Sequence, residues 1–177
     1  MNHTIRTATA DDAGALAALA AVTFPLACPP SSSPEDIAAH LASTLSEQHF
    51  ERYLADPDIT ILVLESGKRL NGYSLLVNRP AADPDVAAAL TIVPSVELSK
   101  CYVHPEHHGL GAAAELMHAS LQAAAAAGGA AAWLGVNSQN ARAIRFYEKS
   151  GFRKVGTKSF TLGSTVEHDF VLERAVP

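Results

Sequence analysis

VELSKCYVHPEHHGLGAAAEL, residues 96–116, predicts a β-strand, a glycine-containing turn and the start of a helix. The strand is the run Val96–Val103, and the turn is His108-Gly109-Leu110-Gly111-Ala112-Ala113. A glycine turn before a helix presents unpaired backbone N–H groups and the positive end of the helix dipole. Both features suit a diphosphate, so the sequence predicts a phosphate-binding turn at this point.

A second motif follows in the next strand and helix. Ala131–Val136 is predicted as a buried strand, and Gln139–Ser150 as the helix after it. The positions that define the motif are Asn140, Ala143, Phe146, Tyr147, Gly151 and Phe152. One glycine turn is weak evidence for a cofactor site, whereas two motifs in this order are far more specific.

Together the two motifs resemble the GNAT superfamily of N-acetyltransferases, which transfer the acetyl group of acetyl-CoA to an amine. The cofactor signature of that family, Arg/Gln-x-x-Gly-x-Gly/Ala, falls on His108, Gly111 and Ala113, directly after Val103-His104-Pro105-Glu106. His108 stands where the family usually has Arg or Gln. The second pattern, Asn-x-x-Ala-x-x-x-Tyr-x-x-x-Gly-Phe, is matched at every position from Asn140 to Phe152.

The resemblance extends from about Ile5 to Leu172 and implies a fold. We expect one α/β domain over residues 1–177, with a mixed, mostly antiparallel sheet of about seven strands flanked by helices. The strands around Cys101 and Leu134 should be parallel, because a helix connects them as a crossover. In the family these two strands splay apart to admit the pantetheine arm of the cofactor.

The resemblance also implies which residues bind acetyl-CoA. The turn would wrap the diphosphate with main-chain N–H groups, the strand end would pair with the pantetheine amides, and Asn140 would either cap its helix or reach the cofactor. The predicted cofactor-binding residues are Cys101, Tyr102, Val103, His108, Gly109, Leu110, Gly111, Ala112, Ala113, Ala114, Asn140 and Tyr147.

Two residues are predicted to be catalytic. In the family the tyrosine at the position of Tyr147 points its hydroxyl at the thioester sulfur, where a phenol with pKa about 10 still carries its proton. Glu97 is the predicted base for the amine, with substrate anchoring and water ordering as its alternatives; the alternative for Tyr147 is core packing. Strand alternation predicts that Glu97, Ser99, Cys101 and Val103 share one face.

Other chemistries fit the same residues less well. Gly109-Leu110-Gly111 also suits a dinucleotide fold, but five residues separate it from Val103, and no acidic residue ends the next strand. No metal site is predicted at His104, His107 and His108, which lack ligand spacing. Cys101 is predicted to be a small strand residue, because no partner would activate it as a nucleophile.

Composition restricts the partners. Thirteen basic and eighteen acidic residues give a net charge of −5, which argues against nucleic acid and suits a cationic acceptor. The two cysteines form no disulfide framework, and the sequence shows neither a signal pattern nor an uninterrupted apolar run of membrane-spanning length. The expected setting is therefore cytoplasmic and away from membranes, with a homodimer as one form of assembly.

Several segments resemble the bacterial spermidine/spermine N-acetyltransferases of the PaiA type. They are Thr23-Phe24, Ser33-Pro34-Glu35-Asp36, Trp133–Val136, Asn140–Phe152 and Gly156–Asp169. A polyamine is thus the predicted acceptor, which fits the acidic net charge. A protein N-terminus or lysine remains an alternative, as does a non-catalytic acetyl-CoA-binding module.

The remaining elements are predicted from periodicity and from helix-stop residues. A helix capped by Asp11 or Asp12 should end near Phe24, where Pro25 would break it. A second helical pattern continues from Pro34 to Leu54, and Pro80–Ala89 is predicted as a loop. The strands Ile59–Glu65 and Tyr73–Val77 form a predicted hairpin, as do Phe152–Phe160 and Val166–Leu172.

Overall fold

The structure is a computed structural model that describes residues 2–177. The strands are β1 (Thr4–Thr7), β2 (Ile59–Ser66), β3 (Arg69–Val77), β4 (Ser95–Val103), β5 (Ala131–Asn137), β6 (Arg153–Leu162) and β7 (Thr165–Ala175). The α-helices are α1 (Ala13–Ala27), α2 (Pro34–Thr44), α3 (Glu47–Ala55), α4 (Pro84–Ala89), α5 (Ala112–Ala126) and α6 (Ala141–Lys149).

All strands belong to one seven-stranded sheet in the order β1-β2-β3-β4-β5-β7-β6. Neighbouring strands are antiparallel except β4 and β5, which are parallel because α5 connects them as a crossover. The mixed, mostly antiparallel sheet predicted from the sequence is confirmed. The parallel pairing is limited to Ser95–Glu97 with Ala131–Trp133, so the two strands separate beyond that point.

A β-bulge lies in β4 at Ser99. Leu75 of β3 pairs with Lys100 and the next residue, Leu76, pairs with Leu98, which leaves Ser99 without a partner on β3. An extra residue of this kind reverses the alternation of side chains along a strand. The bulge therefore changes which residues of β4 share a face.

The prediction that Glu97, Ser99, Cys101 and Val103 lie on one face is wrong for this reason. Cys101 and Val103 pack towards α5, against a cluster that includes Leu116. Ahead of the bulge it is the even-numbered residues that face α5, since Val96 and Leu98 pack with Met117 and Leu121 of that helix. Glu97 is consequently on the opposite face, together with Lys100 and Tyr102.

The core lies on both faces of the sheet. On one face α1 and α3 pack on β2 and β3, where the side chains include Leu16, Phe50 and Tyr73. On the other face α5 and α6 cover β4 and β5. Each fully buried Leu or Phe contributes about 1.5–3 kcal/mol relative to exposure, so both layers hold the strands that carry the site.

The first helix begins at the predicted cap and differs from its prediction at its C-terminal end, which is Ala27 rather than Phe24. Its first α-helical residue is Ala13, after a 3-10 turn over residues 10–12, and the Asp12 carboxylate accepts the backbone N–H of Thr9 (2.7 Å). Thr9 is the N-cap residue of the 3-10 turn, whereas Asp12 is the N-cap residue of the α-helix, as predicted, although its side chain accepts no helix N–H. Pro25 does not end the helix, because it lies in the last turn, where a missing N–H costs only one hydrogen bond.

Two other predictions fail at helix starts. The pattern from Pro34 to Leu54 is two helices, since the chain leaves α-helical geometry at Leu45 and the Ser46 hydroxyl accepts the His49 N–H to begin α3. The predicted loop at Pro80–Ala89 contains α4, where the Asp83 side chain accepts the Asp85 N–H.

The stretch Ala10–Ala27 is apolar and long enough, by length and composition alone, to cross a membrane. In the fold one side of this stretch is buried in the core through Leu16, Leu19, Ala20 and Phe24. The core helix of a globular domain meets the same criteria, so the stretch is weak evidence for a membrane span.

Candidate active site

A cavity of about 880 Å³ occupies the gap where β4 and β5 separate. Its walls come from β4, β5, the turn after β4, α6, the first two helices and the β6–β7 hairpin. Predicted site residues that line it are Glu97, Cys101, Tyr102, Val103, His108, Gly109, Ala113, Asn140 and Tyr147. Both predicted catalytic residues and most of the predicted cofactor-binding residues therefore meet in one cavity.

The other predicted cofactor residues have side chains outside the cavity. Leu110 is exposed, Ala112 is buried towards the core, and Ala114 is exposed on α5. Gly111 precedes α5 as its N-cap. These four residues can contribute only through their backbone.

The turn before α5 offers a row of unpaired backbone donors. Within the described residues 2–177, no protein group accepts a hydrogen bond from the N–H groups of residues 109–114. Gly109 (φ 79°) and Gly111 (φ 80°) have left-handed backbone geometry, which side chains disfavour. The unpaired donors and the helix dipole fit the diphosphate of coenzyme A, as the sequence predicts.

His108 is turned inward, away from the role of a direct phosphate donor. Its Nε2 lies 2.9 Å from the Val103 carbonyl oxygen, and its Nδ1 lies 3.1 Å from Nη2 of Arg142. The carbonyl requires an Nε2–H donor, which leaves Nδ1 to accept from the guanidinium. His108 therefore has no ring N–H left for a phosphate, and it holds Arg142 at the cavity wall instead.

Arg142, which the motifs did not single out, supplies the cation beside the turn. We expect Arg142→Ala to weaken coenzyme A binding by about tenfold, since a hydrogen bond to a charged group is worth about 1.5–3 kcal/mol and this site is open to solvent. Arg145→Ala is the matched control, because Arg145 is exposed on the same helix and does not line the cavity. Isothermal calorimetry that gives the same Kd for both variants would contradict this role.

Asn140 begins α6 as its cap. Its side-chain oxygen accepts the N–H of Ala143 (3.1 Å), and the residue also lines the cavity. The carbonyl end of the side chain is therefore committed to the helix. Its NH₂ end is the part that can reach a cofactor, so capping and cofactor contact are compatible.

Tyr147 places a phenol at the cavity wall opposite β4. Its ring packs on Phe146 and Phe152, with centroids 5.5 and 6.1 Å away. Within residues 2–177 its hydroxyl has no hydrogen-bond partner, and burial raises the pKa of Tyr147 well above its ordinary value. The hydroxyl thus keeps its proton at any working pH and is free to donate it as a hydrogen bond.

Charged side chains gather on the face of the sheet that carries Glu97. Burial raises the pKa of Glu97, while Lys100 and Lys158 oppose that shift. Burial also lowers the pKa of Lys100, whose ammonium lies 3.2 Å from the Ser99 carbonyl and hydroxyl oxygens. A carboxylate with a raised pKa is better matched to accepting a proton from an amine.

The β6–β7 hairpin adds a second lysine and a second carboxylate. Lys158 Nζ lies 3.8 Å from Asp169 Oδ2, and burial raises the pKa of Asp169 while Lys158 opposes the shift. Both side chains extend over Gly135, where an added Cβ would lie 2.5 Å from Lys158 Cε. The glycine thus makes room for the lysine at the gap between the strands.

An aromatic wall closes the far side of the cavity. The His40 ring stacks on Phe24 at a centroid distance of 4.6 Å and meets the edge of Phe160 at 5.7 Å. Burial, with a smaller contribution from Lys100, lowers the pKa of His40. The imidazole is therefore neutral near pH 7 and serves as a flat surface rather than a cation.

Several of these residues were missed by the sequence motifs: His40, Lys100, Arg142, Lys158 and Asp169. One signal was available for Lys100, since charged residues inside a central strand are unusual and need partners or a function. The others depend on contacts between distant elements. Arg142, for example, meets a histidine that lies thirty-four residues away in sequence.

Cys101 and the three neighbouring histidines have structural roles. Burial raises the pKa of the Cys101 thiol to about 12, so the thiol is a poor nucleophile. His104 Nδ1 accepts the backbone N–H of Glu106, and His107 is buried. Across residues 2–177, no three His, Cys, Asp or Glu side chains come together in a way that could hold a metal ion.

A splayed parallel strand pair, a turn of unpaired N–H donors before a helix, and a phenol and a carboxylate that line the same cavity are together typical of a coenzyme A-dependent acyltransferase. The chain belongs to the acetyltransferase (GNAT) family, since the sequence model of that family matches residues 25–152. It is an acetyl-CoA-dependent N-acetyltransferase. A dinucleotide-binding fold is excluded by the mostly antiparallel sheet.

A curated relative supports this membership, and solved structures share the fold. An uncharacterized N-acetyltransferase of Mycobacterium tuberculosis is 47% identical over 163 residues, which cover 92% of this chain and 97% of that protein. A PaiA N-acetyltransferase from Thermoplasma acidophilum, solved with coenzyme A, superposes with a TM-score of 0.78 at 21% identity, covering 99% of both chains. The protein yncA from Salmonella typhimurium, solved with its cofactor acetyl-CoA, superposes with a TM-score of 0.66 at 22% identity, covering 100% of this chain and 95% of that chain.

Proposed function

We propose that this protein acetylates a primary amine on a small molecule, with Glu97 as the base and Tyr147 as the hydrogen-bond donor to the leaving sulfur. The observation that carries the proposal is that both side chains line one cavity together with the turn of unpaired N–H groups. Nucleophile activation, cofactor binding and leaving-group stabilisation then act at one place.

Glu97 is the proposed acceptor of the proton that the amine must lose before it attacks. A primary amine with pKa about 10 is neutral in fewer than about one molecule in a hundred at pH 7, and only the neutral form attacks the thioester. A half-buried carboxylate whose pKa is raised can accept the amine proton directly or through water. Substrate anchoring by Glu97 remains the alternative that the pH profile distinguishes.

Tyr147 is the proposed hydrogen-bond donor to the sulfur of the leaving thiolate. The thiolate of coenzyme A, with thiol pKa about 8.5, leaves more easily when a donor faces the sulfur. Because the pKa of Tyr147 is raised above that of the thiol, complete proton transfer from the phenol is uphill. Its main contribution is therefore a hydrogen bond that strengthens as charge develops on sulfur.

The free edge of β4 supports binding of the pantetheine arm. From Leu98 to Val103 the strand pairs with β3 alone, because pairing with β5 ends at Glu97. Apart from the carbonyl oxygens of Ser99 and Val103, which Lys100 and His108 contact, its backbone groups on the β5 side are thus available to the amides of the arm, as in the addition of a strand to a sheet.

The predicted polyamine acceptor draws on the acidic net charge and on the resemblance to PaiA-type enzymes. At the cavity itself the carboxylates of Glu97 and Asp169 are accompanied by Lys100 and Lys158, and Arg142 adds a third cation beside the cofactor turn. A long polycation would face both ammonium groups. A peptide amine is the second acceptor class, and a non-catalytic acetyl-CoA-binding module is the third possibility that the assay below separates.

We expect release of coenzyme A thiol when acetyl-CoA is offered with an amine from a panel of polyamines, amino acids, aminoglycosides and peptides.

Gly111→Val should raise the Kd of acetyl-CoA at least about tenfold, because a β-branched residue is strained at φ 80° and would crowd the diphosphate. Gly67→Val is the control, since Gly67 also has positive φ but lies in the β2–β3 turn, away from the cavity. Acetyl-CoA binding without turnover on any amine would favour the non-catalytic module.

A further inference from the structure

A second cavity of about 330 Å³ adjoins the first across Glu97 and Lys158, which line both. It extends away from the cofactor turn, between the strand face and the segment that leads into α4. Its lining residues are Val77, Arg79, Pro80, Ala81, Ala82, Asp83, Val86, Glu97, Trp133 and Lys158. An acceptor whose amine sits beside Glu97 can place the rest of its structure here.

Trp133, which lines this second cavity, carries a buried hydrogen-bond donor that has no partner among residues 2–177. Trp133 is only 5% exposed, and its indole Nε1 is completely buried with no acceptor among residues 2–177. An unpaired buried N–H costs about 1–3 kcal/mol, and it is a feature that a bound ligand can satisfy. A tryptophan N–H is a donor only, so its partner must be an acceptor such as a carboxylate oxygen.

Lys158 provides a cation at the same place. Its ammonium is 3.8 Å from Asp169 Oδ2, which is beyond hydrogen-bond distance, and its N–H groups are therefore available to another acceptor. Of the other charged groups that line the second cavity, Arg79 and Asp83 are already engaged, and Glu97 is the proposed partner of the reacting amine. Arg79 is held by Asp56 and Asp58, and the Asp83 carboxylate caps α4.

An unpaired acceptor lies on the other side of Lys158. Asp169 is 8% exposed, and its Oδ1 is buried without a donor among the described residues. Asp169 and Glu97 both line the larger cavity, where the reacting amine must be. The site thus offers oxygens to an ammonium on the cofactor side and N–H donors to an anion on the far side.

We propose that the preferred acceptor is a primary amine that also carries a carboxylate, bound in the second cavity by Lys158 and by the indole N–H of Trp133. The inference rests on the proposed acetyltransferase function and specifies its substrate class. The amine then lies beside Glu97 and Asp169, and its carboxylate makes charge-assisted hydrogen bonds across Lys158. The predicted polyamine lacks the anionic group that this arrangement selects.

The test uses pairs of acceptors that differ by one carboxylate: ornithine and putrescine, lysine and cadaverine, γ-aminobutyrate and n-propylamine. Calorimetry measures binding of each compound to the complex of the protein with coenzyme A, and thiol release measures kcat/KM. We expect the acid to exceed its decarboxylated partner at least about tenfold in affinity for at least one pair, with the same order in kcat/KM. Equal or stronger binding of the decarboxylated amines in every pair would overturn the inference.

Three variants test which residues cause the preference for acids over their decarboxylated partners. Lys158→Met should lower the ratio of the affinity for the acid to the affinity for its decarboxylated partner by about tenfold. Trp133→Phe should lower the same ratio by a smaller factor. Lys154→Met is the matched control, because Lys154 is on the same strand but lies over the Phe170 ring outside both cavities. A ratio unchanged in Lys158→Met would refute the assignment even if the wild-type protein prefers acids.

The two proposals fail in different ways. If carboxylate-bearing amines bind selectively but none is acetylated, the catalytic proposal is wrong and the binding inference stands. If diamines are acetylated with the higher kcat/KM and also bind more tightly, the acetyltransferase proposal stands and the carboxylate inference is rejected.

Discussion

Tyr147→Phe should lower turnover by about one to three orders of magnitude while acetyl-CoA affinity changes little. The variant keeps the ring that packs on Phe146 and Phe152, and it removes only a hydroxyl that has no partner in the described protein. The loss should therefore fall on the step in which charge develops on sulfur. Single-turnover measurement with a slow amine acceptor makes chemistry the rate-limiting step and shows the effect directly.

Tyr73→Phe is the matched control for this variant. Tyr73 is fully buried, its hydroxyl also has no partner among residues 2–177, and it does not line the cavity. Turnover should be retained, since only a hydroxyl remote from the chemistry is lost. Full activity of Tyr147→Phe under these conditions would mean that Tyr147 is a packing residue.

The fold was largely predictable because its decisive signals are local. The apolar run before the glycine turn, the alanine-rich helix and the second motif each specify one element from adjacent residues, and the structure places β4 at Ser95–Val103 and α5 at Ala112–Ala126. The crossover helix then requires the parallel pair. The sheet type follows from those few segments and the splay from the family resemblance, whereas β3 begins at Arg69 rather than at the predicted Tyr73.

The β-bulge was not predictable from the same signals. The residues around Ser99 carry no glycine or proline that would mark a bulge, and the lack of a partner for Ser99 is set by the register of β4 against β3. A register of this kind depends on packing on both faces of the sheet, which periodicity in one strand does not encode. The error mattered, because it moved Glu97 from the face of Cys101 to the face of Lys100.

Side chains that complete the site come from segments that are distant in sequence, so local motifs do not identify them. Arg142 becomes a cofactor-facing cation only because His108 holds it, and Lys158 reaches the gap only because Gly135 has no side chain. Each residue is an ordinary surface residue by sequence. The acceptor specificity of the site therefore depends on tertiary contacts more than its cofactor specificity does.

Glu97→Gln should lower kcat/KM near pH 7 by about two to four orders of magnitude, the range typical of losing a general base. The amide keeps the shape of the side chain and its place on the face of Lys100, while it can no longer accept a proton from the amine. Glu148→Gln is the control, because Glu148 is exposed on α6 and does not line the cavity. Its activity should equal that of the wild type.

The pH profile distinguishes a base from an anchor. Burial raises the pKa of Glu97, so the deprotonated, active form accumulates only above the usual carboxyl range, and wild-type activity should rise with pH through that raised value and then level off. The pH profile of Glu97→Gln should lack this rise. Its rate should instead climb about tenfold per pH unit towards the amine pKa near 10, as bulk water supplies neutral amine. An anchoring role predicts a raised acceptor KM with kcat and the pH profile retained, and identical pH–rate curves for the two proteins would eliminate the base assignment.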